Sequence, residues 1–270
     1  MRFDNNRFWG VEIEFLDTVN REDVARKMTE KGVLCYVEGY NHSTKTHWKV
    51  VTDSSCGYEL VSPPLKGEEG FKQLKVACEV LNELGAKVNR RCGLHVHHDA
   101  SDFTVNTFKR VLALYAKYED SIDELLPQSR RGNANYYCRS LLFQCTKEEV
   151  LREIGRKCSV ETLMKLYYNN RYFKVNLQSY RRHGTIEFRH HSGTVEYEKI
   201  KNWIVLTQAI INRAIDAPVQ YSVRIANYRT FKEALGACGS GIQDEHCREA
   251  IKYFDARWKH FAVREGRVAA

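Results

Sequence analysis

Between residues 8 and 15 apolar and acidic side chains alternate, with Val11, Ile13 and Phe15 on one phase and Glu12 and Glu14 on the other. A period of two predicts a strand with one buried face, so the opposite face carries two carboxylates side by side. Three later stretches repeat the scheme. Over 58–62 Glu59 is out of phase with Leu60, and over 87–98 His95 and His97 alternate with Leu94 and Val96. Over 185–191 Glu187 and Arg189 alternate with Ile186 and Phe188. Further strands are predicted over 171–178, and over 34–40 and 47–52 as a hairpin turning through the polar residues 41–45.

Between these strands the period lengthens. Asn20 caps a predicted helix over 21–31, and 68–84 carries Phe71, Leu74, Cys78, Leu81 and Leu84 on one stripe. A long helix is expected over 104–125, then a polar, basic loop over 128–137 that is a candidate lid. Thr146 with Glu149 opens a helix to about 157, and Ser159 opens another to about 169. Helices over 195–217, from Thr230 with Glu233, and over 244–263 complete the pattern, with a flexible turn at 236–241. Every apolar strand face needs a cover. The simplest arrangement is an α+β fold, a curved and mainly antiparallel sheet with helices on its convex face. The polar concave face is then the site. Residues 1–217 form the expected catalytic domain, with 218–270 a helical extension packed on it.

Composition narrows this picture only a little. The chain has 270 residues, 43% of them hydrophobic, ample for a folded core. Its net charge of +8 favours an anionic partner, yet the arginines come in scattered pairs such as Arg90-Arg91 and Arg130-Arg131. That is not the basic stripe of a dedicated nucleic-acid surface, so nucleic acid is not favoured. Nine cysteines form no C-x-x-C pair and no apolar leader opens the chain, so a reduced, cytoplasmic setting is expected. A membrane role is not expected, because no apolar run approaches the ~20 residues a span requires.

The polar strand faces carry the candidate chemistry. Glutamates held together favour a divalent cation, and hard carboxylate oxygens with little thiolate point to Mg²⁺ or Mn²⁺. An arginine and histidines beside such ions suit phosphate chemistry. No Walker or kinase-type glycine loop is present. One alternative is a dinuclear-metal hydrolase, since His95, His97 and Asp99 fit H-x-H-x-D, although Ala100 stands where a further histidine usually follows. Another is a non-catalytic, basic nucleic-acid-binding protein, against which the E-x-E strand argues.

Four motifs in order, G-V-E-I-E-F at 10–15, Y-E-L-V-S-P-P at 58–64, G-L-H-V-H at 93–97 and G-T-I-E-F-R at 184–189, resemble the carboxylate–amine ligases of the glutamine synthetase and glutamate–cysteine ligase fold. The likeness is strongest to the amidoligase branch and spans roughly residues 8–217. The resemblance implies ATP as a substrate and Mg²⁺ or Mn²⁺ as cofactor. It implies Glu12, Glu14, Glu59, His95 and Glu187 as metal ligands and His97 near the nucleotide phosphates. Arg189 would hold phosphate or a substrate carboxylate, and Arg181 or Arg182 would contact phosphate. Asp53 and Asn176 are weaker candidates with no role. The implied partners are a carboxylate substrate and an amine substrate, joined through an acyl phosphate. Assembly into large rings is not implied for so short a chain.

Overall fold

A computed structural model describes residues 1–216, 218, 226–238 and 241–268. The expected helix end at 217 and the middle of the turn expected over 236–241 lie outside the described residues. In chain order the elements are β1 (Trp9–Leu16), α1 (Arg21–Glu30), β2 (Cys35–Val37), β3 (Trp48–Asp53), β4 (Gly57–Val61), α2 (Gly67–Glu83), β5 (Gly93–Asp99) and α3 (Val105–Asp123). There follow α4 (Lys147–Arg156), α5 (Val160–Leu166), β6 (Val175–Asn176), α6 (Gln178–His183), β7 (Thr185–Ser192), α7 (Tyr197–Asp216), α8 (Tyr228–Ala234) and α9 (Glu245–Arg264). The class is mixed α+β, with an open seven-stranded sheet in the order β2-β3-β4-β1-β5-β7-β6.

The chain divides into two compact units. A strand unit comprises Asp4–Asp99 and Glu187–Ile204; a helical unit comprises Met1–Phe3, Ala100–Ile186 and Val205–Ala270. The division does not follow the expected boundary at 217/218. The chain instead leaves the strand unit after β5 and re-enters it inside β7.

In the strand unit β1 pairs antiparallel with β4 and with β5, and β3 antiparallel with β4. Trp9, Val11, Ile13 and Phe15 are all buried on the face that α2 covers. Trp9 meets Phe71 at 5.1 Å between ring centroids. Gly70 allows this approach, because a Cβ there would stand 2.8 Å from the Trp9 ring. Burying this stripe is the main favourable term holding α2 to the sheet.

The expected hairpin over 34–52 is instead a parallel pair, Cys35 beside Trp48 and Val37 beside Val50. Such pairs need a crossover, usually a dozen residues or more. Here a shorter loop is closed by side chains. Glu38 accepts from Asn41 at 2.8 Å and pairs with His47 at 2.8 Å. The buried Lys49 ammonium donates to Asn41 Oδ1 at 2.7 Å and to the Ser43 carbonyl at 2.8 Å. These contacts make residues 41–45 a gathered crossover rather than a turn between antiparallel strands.

Other departures have similarly local causes. Residues 87–92 are not strand, because Asn89 closes a turn by accepting from the Arg91 N–H at 2.8 Å. The strand expected over 171–178 shrinks to β6 because Asn170 and Asn176 each bond the N–H two residues on, at 2.8 Å. The second of these turns leads into α6, unforeseen in the sequence. Asn227, not Thr230, caps α8; Thr230 is the third helical residue of the capping box.

In the helical unit α3 is the buried axis, capped by Thr104 with Thr107. Helix α9 packs against its end: Arg257 donates to the Leu125 carbonyl at 2.9 Å and Trp258 to Glu124 at 2.7 Å. The 128–137 loop contains two 3₁₀ turns and is pinned, Gly132 N–H bonding Asp123 at 2.7 Å and Arg131 bonding the Leu126 carbonyl at 2.8 Å. Among the described residues no helix is long and apolar enough to cross a membrane.

Candidate active site

Strand register assembles the site within the strand unit. Glu14 stands opposite Glu59 of β4, while Glu12 stands opposite His95 and Gly10 opposite His97 of β5. Directly opposed residues project to the same face, so the alternation that buries Trp9 to Phe15 drives these polar groups together on the other side. β7, next to β5 in the sheet, adds Glu187 and Arg189. Ile186 and Phe188, the intervening residues, are fully buried.

Glu12 is the centre of the cluster. One carboxylate oxygen meets His95 Nδ1 at 2.8 Å and the other His97 Nε2 at 3.3 Å. Glu14 meets His95 Nε2 at 3.3 Å and accepts from the Gly93 N–H at 2.5 Å. A Cβ at Gly93 would lie 3.0 Å from His95 Nε2 and 3.4 Å from Glu14, so glycine lets the imidazole and carboxylate close over the backbone. Glu187 lies 3.6 Å from His95 Nδ1 and is hydrogen-bonded by the Arg189 guanidinium, itself 3.4 Å from the same imidazole nitrogen.

The charges are unevenly met. Burial would raise the Glu12 carboxyl, but hydrogen bonds from His95 and His97 overcome it and hold it well below the usual range. For Glu187 burial is likewise outweighed, chiefly by the positive charge of Arg189, and the carboxyl is lowered. His97 is raised because Glu187 and Glu12 outweigh its burial. Glu59 goes the other way: burial, then the negative charges of Glu12, Glu14 and Asp53, push its carboxyl well above the usual range. Two like charges about 4 Å apart repel by about 4 kcal/mol at an effective dielectric constant near 20. The cluster therefore carries negative charge that its own side chains leave unbalanced.

A hard divalent cation fits this donor set. Two groups of ligand atoms converge within 4.8 Å of one another, Glu12 with Glu59 and His95, and Glu12 with His97 and Glu187. Glu12 belongs to both. Glu14, expected as a ligand, is in neither group and instead braces His95. Asp99 is also in neither group, so the H-x-H-x-D hydrolase pattern does not form around these donors. His98 points to the other face, against Phe188 at 5.9 Å, and burial with the charges of Arg7 and His97 keeps its pKa well below the usual value.

Other candidates are not among these donors. Asp53 closes the β3–β4 turn, accepting from the Ser55 and Cys56 N–H groups at 2.7 and 3.0 Å. Asn176, Arg181 and Arg182 belong to the helical unit; both arginines are exposed on α6 and are not members of the cluster. Sequence reasoning missed Lys49. Through Val61 it shares the row of Glu12 on the polar face, and its phase opposite Trp48 and Val50 was the available signal. Gly93 was also missed, since a backbone N–H leaves no trace in residue type.

A family model described as "Putative amidoligase enzyme" matches residues 5–211. No curated protein sequence matches the chain. Among solved structures, a bifunctional glutathione synthetase from Pasteurella multocida is 14% identical with a TM-score of 0.46, covering 97% of this chain and 48% of its own. A complex between the prokaryotic ubiquitin-like protein Pup and its ligase PafA gives 10% identity and a TM-score of 0.40, covering 96% of this chain and 64% of the other. This chain thus spans about half and somewhat under two-thirds of those two chains. The family match takes in every strand and each residue of the carboxylate–histidine cluster, and by it the chain belongs to the amidoligase family.

Proposed function

We propose that this protein is an ATP- and Mg²⁺-dependent carboxylate–amine ligase that forms an amide or isopeptide bond through an acyl phosphate. The observation that carries the reading is the pair of ligand groups sharing Glu12. Glu12, Glu59 and His95 would hold one Mg²⁺ or Mn²⁺ ion, and Glu12, His97 and Glu187 a second. Bound cations supply charge neutralisation at phosphate oxygens.

The chain's own groups do the rest. Arg189 is buried and its guanidinium stays charged beside Glu187, so it neutralises charge gathering on a transferring phosphoryl group or a substrate carboxylate. His97 would serve the second ion as a neutral imidazole, through the Nε2 that faces Glu12 and Glu187, which leaves its other ring nitrogen to donate to a phosphate oxygen. Glu14 and the Gly93 N–H hold the His95 ring in place. A substrate carboxylate oxygen attacks the γ-phosphorus of ATP, and the bond to ADP breaks. The amine nitrogen then attacks the acyl carbon, phosphate leaves, and the nitrogen loses its proton. Arg181 and Arg182 are proposed as phosphate contacts on the family resemblance alone. We assign residues 1–217 to catalysis, with 218–270 as a helical extension and the cytoplasm as the setting.

ADP release with pools of amino acids and amines, followed by mass spectrometry of the products, tests the reading. Glu12→Gln should abolish Mg²⁺-dependent turnover and weaken Mn²⁺ binding by more than about tenfold, a change of ~1.4 kcal/mol. Turnover at the wild-type rate in Glu12→Gln, or products without a new amide bond, would sink it.

A further inference from the structure

Arg139 lies in the helical unit and shares no residue with the proposed metal cluster. Its backbone is fixed: Arg139 N–H bonds the Tyr172 carbonyl and Lys174 N–H bonds the Arg139 carbonyl, both at 2.9 Å. Its guanidinium is boxed by rings, 5.0 Å from Tyr136, 5.1 Å from Phe143 and 4.9 Å from Phe173. Cation–π attraction of this kind holds a charge without neutralising it. Among the described residues no carboxylate pairs with this guanidinium, and its Nε is buried with no hydrogen-bond partner. Arg139 is thus a fixed cation that no described carboxylate neutralises.

The surface around it is aromatic and open. Tyr136 is 60% exposed and Tyr137 45% exposed, and side by side they form a contiguous patch rather than a scattered single ring. They cluster with Tyr172 at centroid distances of 5.1 to 5.5 Å. Arg171 lies over the Tyr172 ring at 5.2 Å, adding a second positive charge. Tyrosine and arginine together make the strong contacts of protein interfaces.

We propose that the Tyr136–Tyr137–Arg139–Tyr172 surface docks an acidic peptide segment of a partner protein, with a carboxylate of that segment on Arg139. The ring geometry favours a peptide over a nucleic acid. Tyr137 meets both Tyr136 and Tyr172 nearly edge to face, at 87° and 88°. The rings therefore cover part of one another's faces, whereas single-stranded nucleic acid needs open faces on which bases stack. Edges and hydroxyls suit main-chain amides and carboxylates. The chain's charge of +8 attracts the same class of partner.

Fluorescence anisotropy of the full chain with a short labelled glutamate-rich peptide tests this, beside a glutamine-rich control and a labelled oligouridylate. Saturable binding of the glutamate peptide is expected, weakening with salt and about tenfold weaker in Arg139→Gln. Because Arg139 is packed among rings, Tyr136→Ser at the exposed rim is the second variant; it should weaken binding several-fold with an unchanged melting temperature. The proposal fails if the glutamate peptide does not bind, or if both variants bind it as the wild type does. It fails equally if the glutamine control binds as tightly. Tighter, Tyr136-dependent binding of the oligouridylate would overturn it in favour of nucleic acid.

Discussion

Glu12 lies against two imidazoles at once, 2.8 Å from His95 Nδ1 and 3.3 Å from His97 Nε2, and belongs to both groups of converging donors, so its replacement should disturb both candidate ion sites. Glu59 behaves differently. Burial and three neighbouring carboxylates raise its pKa, so its ionised form is disfavoured in the ion-free protein. A carboxyl whose folded pKa is raised contributes stability below its unfolded value near 4.5, and that contribution is lost as pH rises through the folded pKa. Glu59→Gln should therefore raise the melting temperature in chelator near neutral pH, by about 2–4 °C for each kcal/mol relieved, and flatten its fall with rising pH. The same variant should bind Mn²⁺ more weakly. A melting temperature that drops in chelator would contradict the charge balance argued for this site.

At the scale of elements, the helical unit is tied together by Lys174, which follows Phe173 and precedes β6. Its ammonium is fully buried and donates to Glu119 at 2.8 Å and to Asp123 at 2.6 Å, both on α3. Glu119 also accepts from the Leu141 N–H at 2.8 Å, and Asp123 from Gly132 at 2.7 Å. Three segments are thus fastened to one helix by one cation. Lys174→Met leaves two buried carboxylates without it and should cost about 3–5 kcal/mol, read as a lower urea midpoint. The orphaned carboxyls would then titrate high, so the loss should be greatest at neutral and higher pH and partly relieved as pH falls and they protonate. An equal loss at all pH values would assign the lysine to packing alone.

For the whole molecule, the unbalanced charge in the strand unit and the proposed ion sites predict a stability that depends on divalent ions. An ion that binds the folded chain at a hundred times its Kd stabilises it by about 2.7 kcal/mol, roughly 5–10 °C for a chain of this size. Mn²⁺ should raise the wild-type melting temperature by such an amount and Glu12→Gln by much less. A wild-type curve indifferent to Mn²⁺ and Mg²⁺ would remove the basis for the metal reading. The nine free cysteines, six of them buried, give no disulfide to mask this dependence.

Periodicity of two was enough to find β1, β4, β5 and β7 and to say which of their side chains share a face, because a buried stripe forces that alternation on residue type. Hence Glu12, Glu59, His95, His97, Glu187 and Arg189 are legible in the sequence as one surface. The helices α1, α2, α3, α4 and α9 were legible for a similar reason, through caps and apolar stripes. Strand partners were not, since alternation says nothing of direction; β2 and β3 turned out parallel because Glu38 and Lys49 gather the intervening loop. Distance was not legible either. Only the register that sets Glu12 beside His95, and the backbone approach at Gly93, decided that Glu14 braces the histidine while Glu12 stands between two candidate ion sites. The Arg139 box likewise closes only on folding: Tyr136 and Phe143 are near it in sequence, but Phe173 and Tyr172 reach it from a distant stretch that no local pattern joins to them.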